Sequence, residues 1–116
     1  MSPTTFAATI ACVFGISLGQ VLFRKAALSL SVTPSASEWL FNTWLIAALV
    51  LYAITTVGWV WVLRHAPLSM AYPVMGLAFL IVPCLSWLFL GEPIRVPTLI
   101  GGALILAGIA LTAQGQ

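Results

Sequence analysis

The sequence predicts an all-α integral membrane protein of four transmembrane helices, and three observations carry that prediction. The chain has 116 residues, 62% of them hydrophobic and 5% charged, whereas a soluble domain carries about a quarter charged residues. Its mean hydropathy is +1.16. The charge-free runs 1–23, 39–63, 66–91 and 96–116 hold 23, 25, 26 and 21 residues, and about 20 residues suffice to cross a ~30 Å hydrocarbon core as a helix. Helices follow because each satisfies its backbone groups within one segment in lipid. The alternating polarity of a transmembrane barrel is missing. A single domain over residues 1–116 is expected, with spans at about 3–28, 38–64, 67–90 and 97–114.

The first span opens at Pro3, a residue suited to the first helical turn. It reads as a retained helix rather than a signal peptide: Met1–Thr5 has no Lys or Arg, and the apolar run outlasts a typical h-region before Arg24-Lys25. Ser29–Ser37 (SLSVTPSAS) forms the longest loop. In the second span, Glu38 near the start and Arg64 near the end both suit the helix dipole. Ala66-Pro67 leaves little room for a connection, so spans two and three should form an antiparallel hairpin. Pro73 and Pro83 fall inside span three, where they free the carbonyls of Ser69 and Phe79 and predict bends. Gly91-Glu92-Pro93 breaks that span, and Glu92 is expected to pair with Arg95. Span four carries Gly101, Ala103, Ala107 and Gly108, small residues that predict a helix-packing surface. Four helices enclose too little volume for an alternating-access route, so at least a dimer zipped through span four is expected.

Trp39, Trp59, Trp61 and Trp87 lie near span ends, as in an interfacial aromatic belt. Loops one and three hold Arg24, Lys25 and Arg95 against Arg64 alone on the other side. That bias places both termini outside, although a chain inserted in both orientations fits it too. Cys12 and Cys84 read as small apolar packing residues with no metal partner nearby. The net charge of +2 is too small and scattered for a nucleic-acid partner. No cofactor is implied, and no nucleophile, base and orienter converge as an enzyme requires.

Chemistry is therefore expected on the helix faces. At 100° per residue, Ser17, Gln20 and Arg24 fall in one sector of span one, with Thr9 beside them: a polar stripe leading in from a basic mouth. Gly15 and Gly19 make a GxxxG pair for close helix approach. Gln20 is open to either an interhelical hydrogen bond or a headgroup contact, and Arg24 and Lys25 to either snorkelling or phosphate binding. Tyr52, Thr55, Thr56 and Trp59 cluster on span two. Tyr72, Met75, Phe79 and Ser86 share a face of span three. A mid-membrane Tyr hydroxyl needs a partner, so Tyr52 should face the bundle or a cavity.

The stretch Ala66–Gly108 resembles the second half of small multidrug resistance proteins. The likeness rests on the Pro after span two, the Ala71-Tyr72 pair, the Gly91-Glu92-Pro93 break and the spacing of Gly101 and Gly108. Tyr52 falls where that family has a binding-site Tyr. The resemblance implies a four-helix subunit of the drug/metabolite transporter superfamily working as an antiparallel dimer, of identical chains or with a homologous partner. One departure bears on mechanism. Proton-coupled members carry a Glu in the middle of span one, and Ile16 stands there; Glu38 and Glu92 lie at span boundaries.

Residues Ser17–Ala26 and the pairs Tyr72-Pro73 and Glu92-Pro93 are instead similar to a sister group. That group comprises subunits proposed to flip aminoarabinose-phosphoundecaprenol and related translocases of undecaprenyl-phosphate lipids. The expectation is a bacterial inner-membrane flippase subunit for a polyprenyl-phosphate lipid. Arg24 and Lys25 would hold phosphate, Gln20, Ser17 and Tyr52 would contact the headgroup, Trp59 would stack on a sugar, and Tyr72 would line the route. Two alternatives stand beside it: a small-solute exporter whose partner supplies the missing carboxylate, and a non-transporting membrane assembly partner.

Overall fold

The computed structural model describes residues 1–114, and the described residues form helices joined by short loops. The helices are α1 (Pro3–Ser29), α2 (Ala36–Leu40), α3 (Thr43–His65), α4 (Leu68–Met75), α5 (Ala78–Leu90) and α6 (Val96–Gln114). Four segments are long and apolar enough to cross a membrane: α1, α3, the α4–α5 pair taken as Leu68–Leu90, and α6.

Capping chemistry explains the helix starts. Ser2 accepts from the Thr5 N–H, and Pro3 fills the first turn of α1. The expected second span divides at its start, because residues 35–42 carry two capping signals rather than one. Ser35 and Glu38 close a reciprocal capping box on the short α2. Asn42 then caps α3 by accepting from the Leu45 N–H at 3.2 Å. Its amide also donates to the Ala26 carbonyl at 3.0 Å and to Ser29 Oγ at 2.9 Å, tying the end of α1 to the start of α3.

The third span is interrupted between its two prolines rather than at either one. Around Gly76–Leu77 the ladder tightens to three-residue spacing: Gly76 N–H donates to Pro73, Leu77 to Val74, Phe79 to Gly76 and Leu80 to Leu77. Pro83 cannot donate to the Phe79 carbonyl four residues back, so this segment has two weak points within one span.

α1 is the central element and packs most extensively on α3, then on α5 and α4. Two close approaches set the α1–α3 seam. A Cβ on Gly15 would stand 2.7 Å from Thr55 Oγ1, and one on Gly58 would stand 3.1 Å from Cys12 Sγ. Gly19, the other half of the expected pair, has no neighbour within 4 Å of such a Cβ. Cys12, Val62 and Ala71 form the core cluster, with Ala8, Trp59 and Leu63 against it. Cys84 differs from expectation: it is exposed on α5, whereas Cys12 is buried. The outer helices bury little; α5 has no fully buried residue and α6 has only Gly102.

Candidate functional site

At the end of the bundle where α1 runs out and α5 gives way to the 91–95 loop, a cleft of about 230 Å³ opens between the two helices. Gln20 and Arg24 line its α1 side, Ser86 and Glu92 the other, with Val21, Val82 and Leu90 as apolar walls. Arg24 Nε donates to Glu92 Oε1 at 3.0 Å across 68 residues of sequence. This corrects the expected Glu92–Arg95 pairing. Gly91 turns the chain with φ of 69°, a left-handed value natural to glycine, and so delivers Glu92 to the cleft rather than along the helix axis.

The pair is half exposed, with side chains 54% and 42% accessible, so solvent screens it and it orients more than it locks. The Arg24 guanidinium, followed by the Ser86 hydroxyl, holds the Glu92 carboxyl below its ordinary value. Glu92 is therefore ionised at neutral pH. A guanidinium has five N–H donors; Nε is spent on Glu92, and the four terminal ones carry no hydrogen-bond partner among the described residues.

The other expected site residues are dispersed. Ser17 leaves the polar stripe: it is fully buried, and its hydroxyl donates to its own Val13 carbonyl at 2.7 Å. Such back-bonding satisfies a small hydroxyl inside a packed helix seam. Thr9 does the same with Thr5 at 2.8 Å. Lys25 turns away from Arg24 and sets Nζ 4.6 Å from the Trp44 ring centroid. Tyr52 is 44% exposed, its ring 6.2 Å from that of Phe23. Contrary to expectation, its hydroxyl has no partner among the described residues.

Trp59 and Tyr72 meet near the opposite end of the bundle, where with Leu68, Ser69 and Pro73 they line an open recess of about 630 Å³. On α6, Gly101 and Gly108 face open space, and Ala103 and Ala107 are exposed. Gly102, which the sequence reading passed over, is the glycine that packs inside the subunit, against Leu80. Asn42 was missed as well, and Ser86 was named on a face of span three but not as a site residue. Asn42 carried a legible signal, as a cap residue directly before an apolar run, while Ser86 had only its shared face with Tyr72.

The sequence profile of the EamA-like transporter family matches residues 1–114. The chain belongs to the EamA-like transporter family. This EamA-like chain is 36% identical over 95 residues to the probable 4-amino-4-deoxy-L-arabinose-phosphoundecaprenol flippase subunit ArnE of Aeromonas salmonicida, covering 80% of this chain and 82% of that one. The protein of the same name from Serratia proteamaculans is 36% identical over 94 residues, covering 80% and 81%. That from Pectobacterium atrosepticum is 36% identical over 101 residues, covering 86% and 88%. No solved structure matches it. The resemblance to the drug/metabolite transporters and to the flippase subunits among them therefore holds. The EamA-like chain is a multi-pass protein of the bacterial inner membrane with a transport role, and not an enzyme.

Proposed function

We propose that the protein is one subunit of a flippase that carries an anionic polyprenyl-phosphate lipid, such as an undecaprenyl-phosphate sugar conjugate, between leaflets of the inner membrane. The observation that supports this best is the rim cleft, where a guanidinium oriented through Nε by Glu92 keeps four donors free beside Gln20 and Ser86. Arg is suited to planar, bidentate contact with phosphate oxygens. A lipid-linked substrate keeps its tail in the bilayer, so the protein need shield only the headgroup. Neutral hydrogen-bonding groups and one oriented cation meet that demand.

Glu38 and Glu92 are the chain's two acids and both lie outside the membrane spans. The subunit thus has no intramembrane carboxylate for drug–proton exchange. An anion leaving an inside-negative cell gains ~2.3 kcal/mol per charge per 100 mV, so outward movement needs no proton carrier. At the other end of the route, the Trp59–Tyr72 recess offers aromatic faces and the Ser69 hydroxyl to a sugar ring. The open Ala103–Ala107 side of α6 would join this subunit to a second copy or a homologous partner, completing a path that one bundle is too small to enclose.

Reconstitution tests the reading. Proteoliposomes should accelerate leaflet exchange of undecaprenyl phosphate and show no proton-driven uptake of a water-soluble cation. The reverse pattern would overturn the proposal in favour of a solute exporter.

A further inference from the structure

The connection between the first two membrane-crossing segments ends in three consecutive large apolar side chains that touch little protein. Trp39, Leu40 and Phe41, at the end of α2, are 50%, 71% and 78% exposed. The polar side chains around them are spent within the connection itself. Glu38 Oε1 accepts from the Ser31 N–H at 3.2 Å, and Oε2 accepts from the Ser31 hydroxyl at 2.8 Å and the Ser35 N–H at 3.0 Å. Asn42 spans the end of α1 and the start of α3 through Ala26, Ser29 and Leu45. The apolar triplet is thus carried on a braced turn rather than on a slack loop.

An exposed apolar patch marks either a protein or a membrane contact, and here reach decides between them. Arg64 and His65 at the end of α3 belong outside the hydrocarbon, which leaves the 21 residues from Thr43 to Leu63 to cross it. They make about 31 Å of helix, against a core of ~30 Å, so the first turn of α3 stands at the core boundary. Phe41 lies two residues before Thr43, a reach of at most ~7 Å, and one headgroup layer is about 5–8 Å deep. The end of α2 is thereby confined to that layer. A second marker agrees: Lys25, near the end of α1, sets Nζ 4.6 Å from the ring centroid of Trp44 in the first turn of α3. Both side chains have an apolar body and a polar tip and settle at the membrane–water boundary. Trp44 follows Phe41 by three residues.

We propose that the end of α2 is a lipid-docking surface, with Trp39, Leu40 and Phe41 inserted at the headgroup–acyl boundary of one leaflet to fix this end of the subunit at that depth. The occupant is the bilayer surface, not a second copy of the chain or another protein. This surface is separate from the rim cleft and stands whether or not that cleft transports.

The test is electron paramagnetic resonance of single spin labels in vesicles of phosphatidylethanolamine and phosphatidylglycerol. Cys84→Ala removes the exposed thiol, and Cys12 is buried. In that background, labels at Leu40→Cys and Phe41→Cys should collide more with oxygen, which partitions into lipid, than with a water-soluble nickel chelate. The ratio should reverse for Thr33→Cys, an exposed position in the loop before α2. Labels at 40 and 41 that favour the nickel chelate as the label at 33 does would put the end of α2 in water and overturn the proposal. Labels there that neither reagent reaches would overturn it too, because protein would then cover the surface.

Discussion

Arg24 was legible in the sequence as a cation at the mouth of span one, but its partner was not. Arg95 is three residues from Glu92, whereas Arg24 reaches it only because α1 and α5 pack side by side and Gly91 turns the loop inward. Sequence distance favoured the wrong pair; tertiary approach decided the right one. Since the Glu92 carboxyl is held below its ordinary value of 4.5, its tie to Arg24 is present above that value. It is lost as pH falls through the lowered one. Spin-label distances between the end of α1 and the 91–95 loop should therefore stay constant from neutral pH down to the ordinary carboxylate range and lengthen only below it. Arg24→Gln, which removes the tie, should show the longer distance at every pH. A transition at the same pH in both proteins would show that the pair does not tie the loop.

The two glycines of α1 make a sharper comparison. They look equivalent in a GxxxG pattern, yet only Gly15 meets a neighbour, Thr55, whose hydroxyl is itself fixed to the Leu51 carbonyl at 2.8 Å. Gly15→Ala should destabilise the bundle by about 1–3 kcal/mol through overpacking. Gly19→Ala, with open space around it, should be neutral or slightly stabilising through helix propensity. Unfolding midpoints in detergent would separate the two, and equal losses would contradict the packing described at the seam.

At the scale of elements, the helices were readable because charge-free runs and their punctuation are strong signals. What the runs could not convey was subdivision. Residues 39–41 are apolar enough to extend α3, but the capping box of Ser35 with Glu38 and the Asn42 cap outweigh that continuity and leave α2 on its own. Span three was expected to bend at its prolines. It is interrupted at Gly76–Leu77 between them, where a Cβ on Gly76 would sit 3.2 Å from Ile109 Cδ1 on α6.

Asn42 joins two elements, so its loss should be felt at both. Asn42→Ala removes a helix cap and two bonds to α1, and a cap alone is worth about 1 kcal/mol. Hydrogen exchange should rise together at Leu45 and at the last turn of α1. Faster exchange confined to α3 would show that the link to α1 carries no stability.

For the whole molecule, the decisive feature is how little the outer helices bury. Gly101, Ala103, Ala107 and Gly108 were expected as one interface; all four are open, but at 100° per residue Ala103 and Ala107 share an open face while Gly101 and Gly108 lie on another side, and Gly102 takes the intramolecular contact. Composition showed that α6 is a packing helix; it could not show which of its faces is already used. If the open face joins subunits, Ala107→Phe should convert the assembled species to single chains in cross-linking or single-molecule photobleaching, with the helical content of each chain unchanged. An assembly that survives this substitution would place the interface elsewhere.

The account turns on an oriented guanidinium at the rim rather than on a buried acid. Leaflet exchange of undecaprenyl phosphate in proteoliposomes, compared for wild type, Arg24→Lys and Arg24→Ala, tests this most directly. Loss of a charge-assisted contact worth about 1.5–3 kcal/mol is a drop of about 10–100-fold in rate. Arg24→Ala is predicted to fall by that amount, with Arg24→Lys between the two, because a point charge lacks the guanidinium fork. Exchange by Arg24→Ala at the wild-type rate would contradict the account.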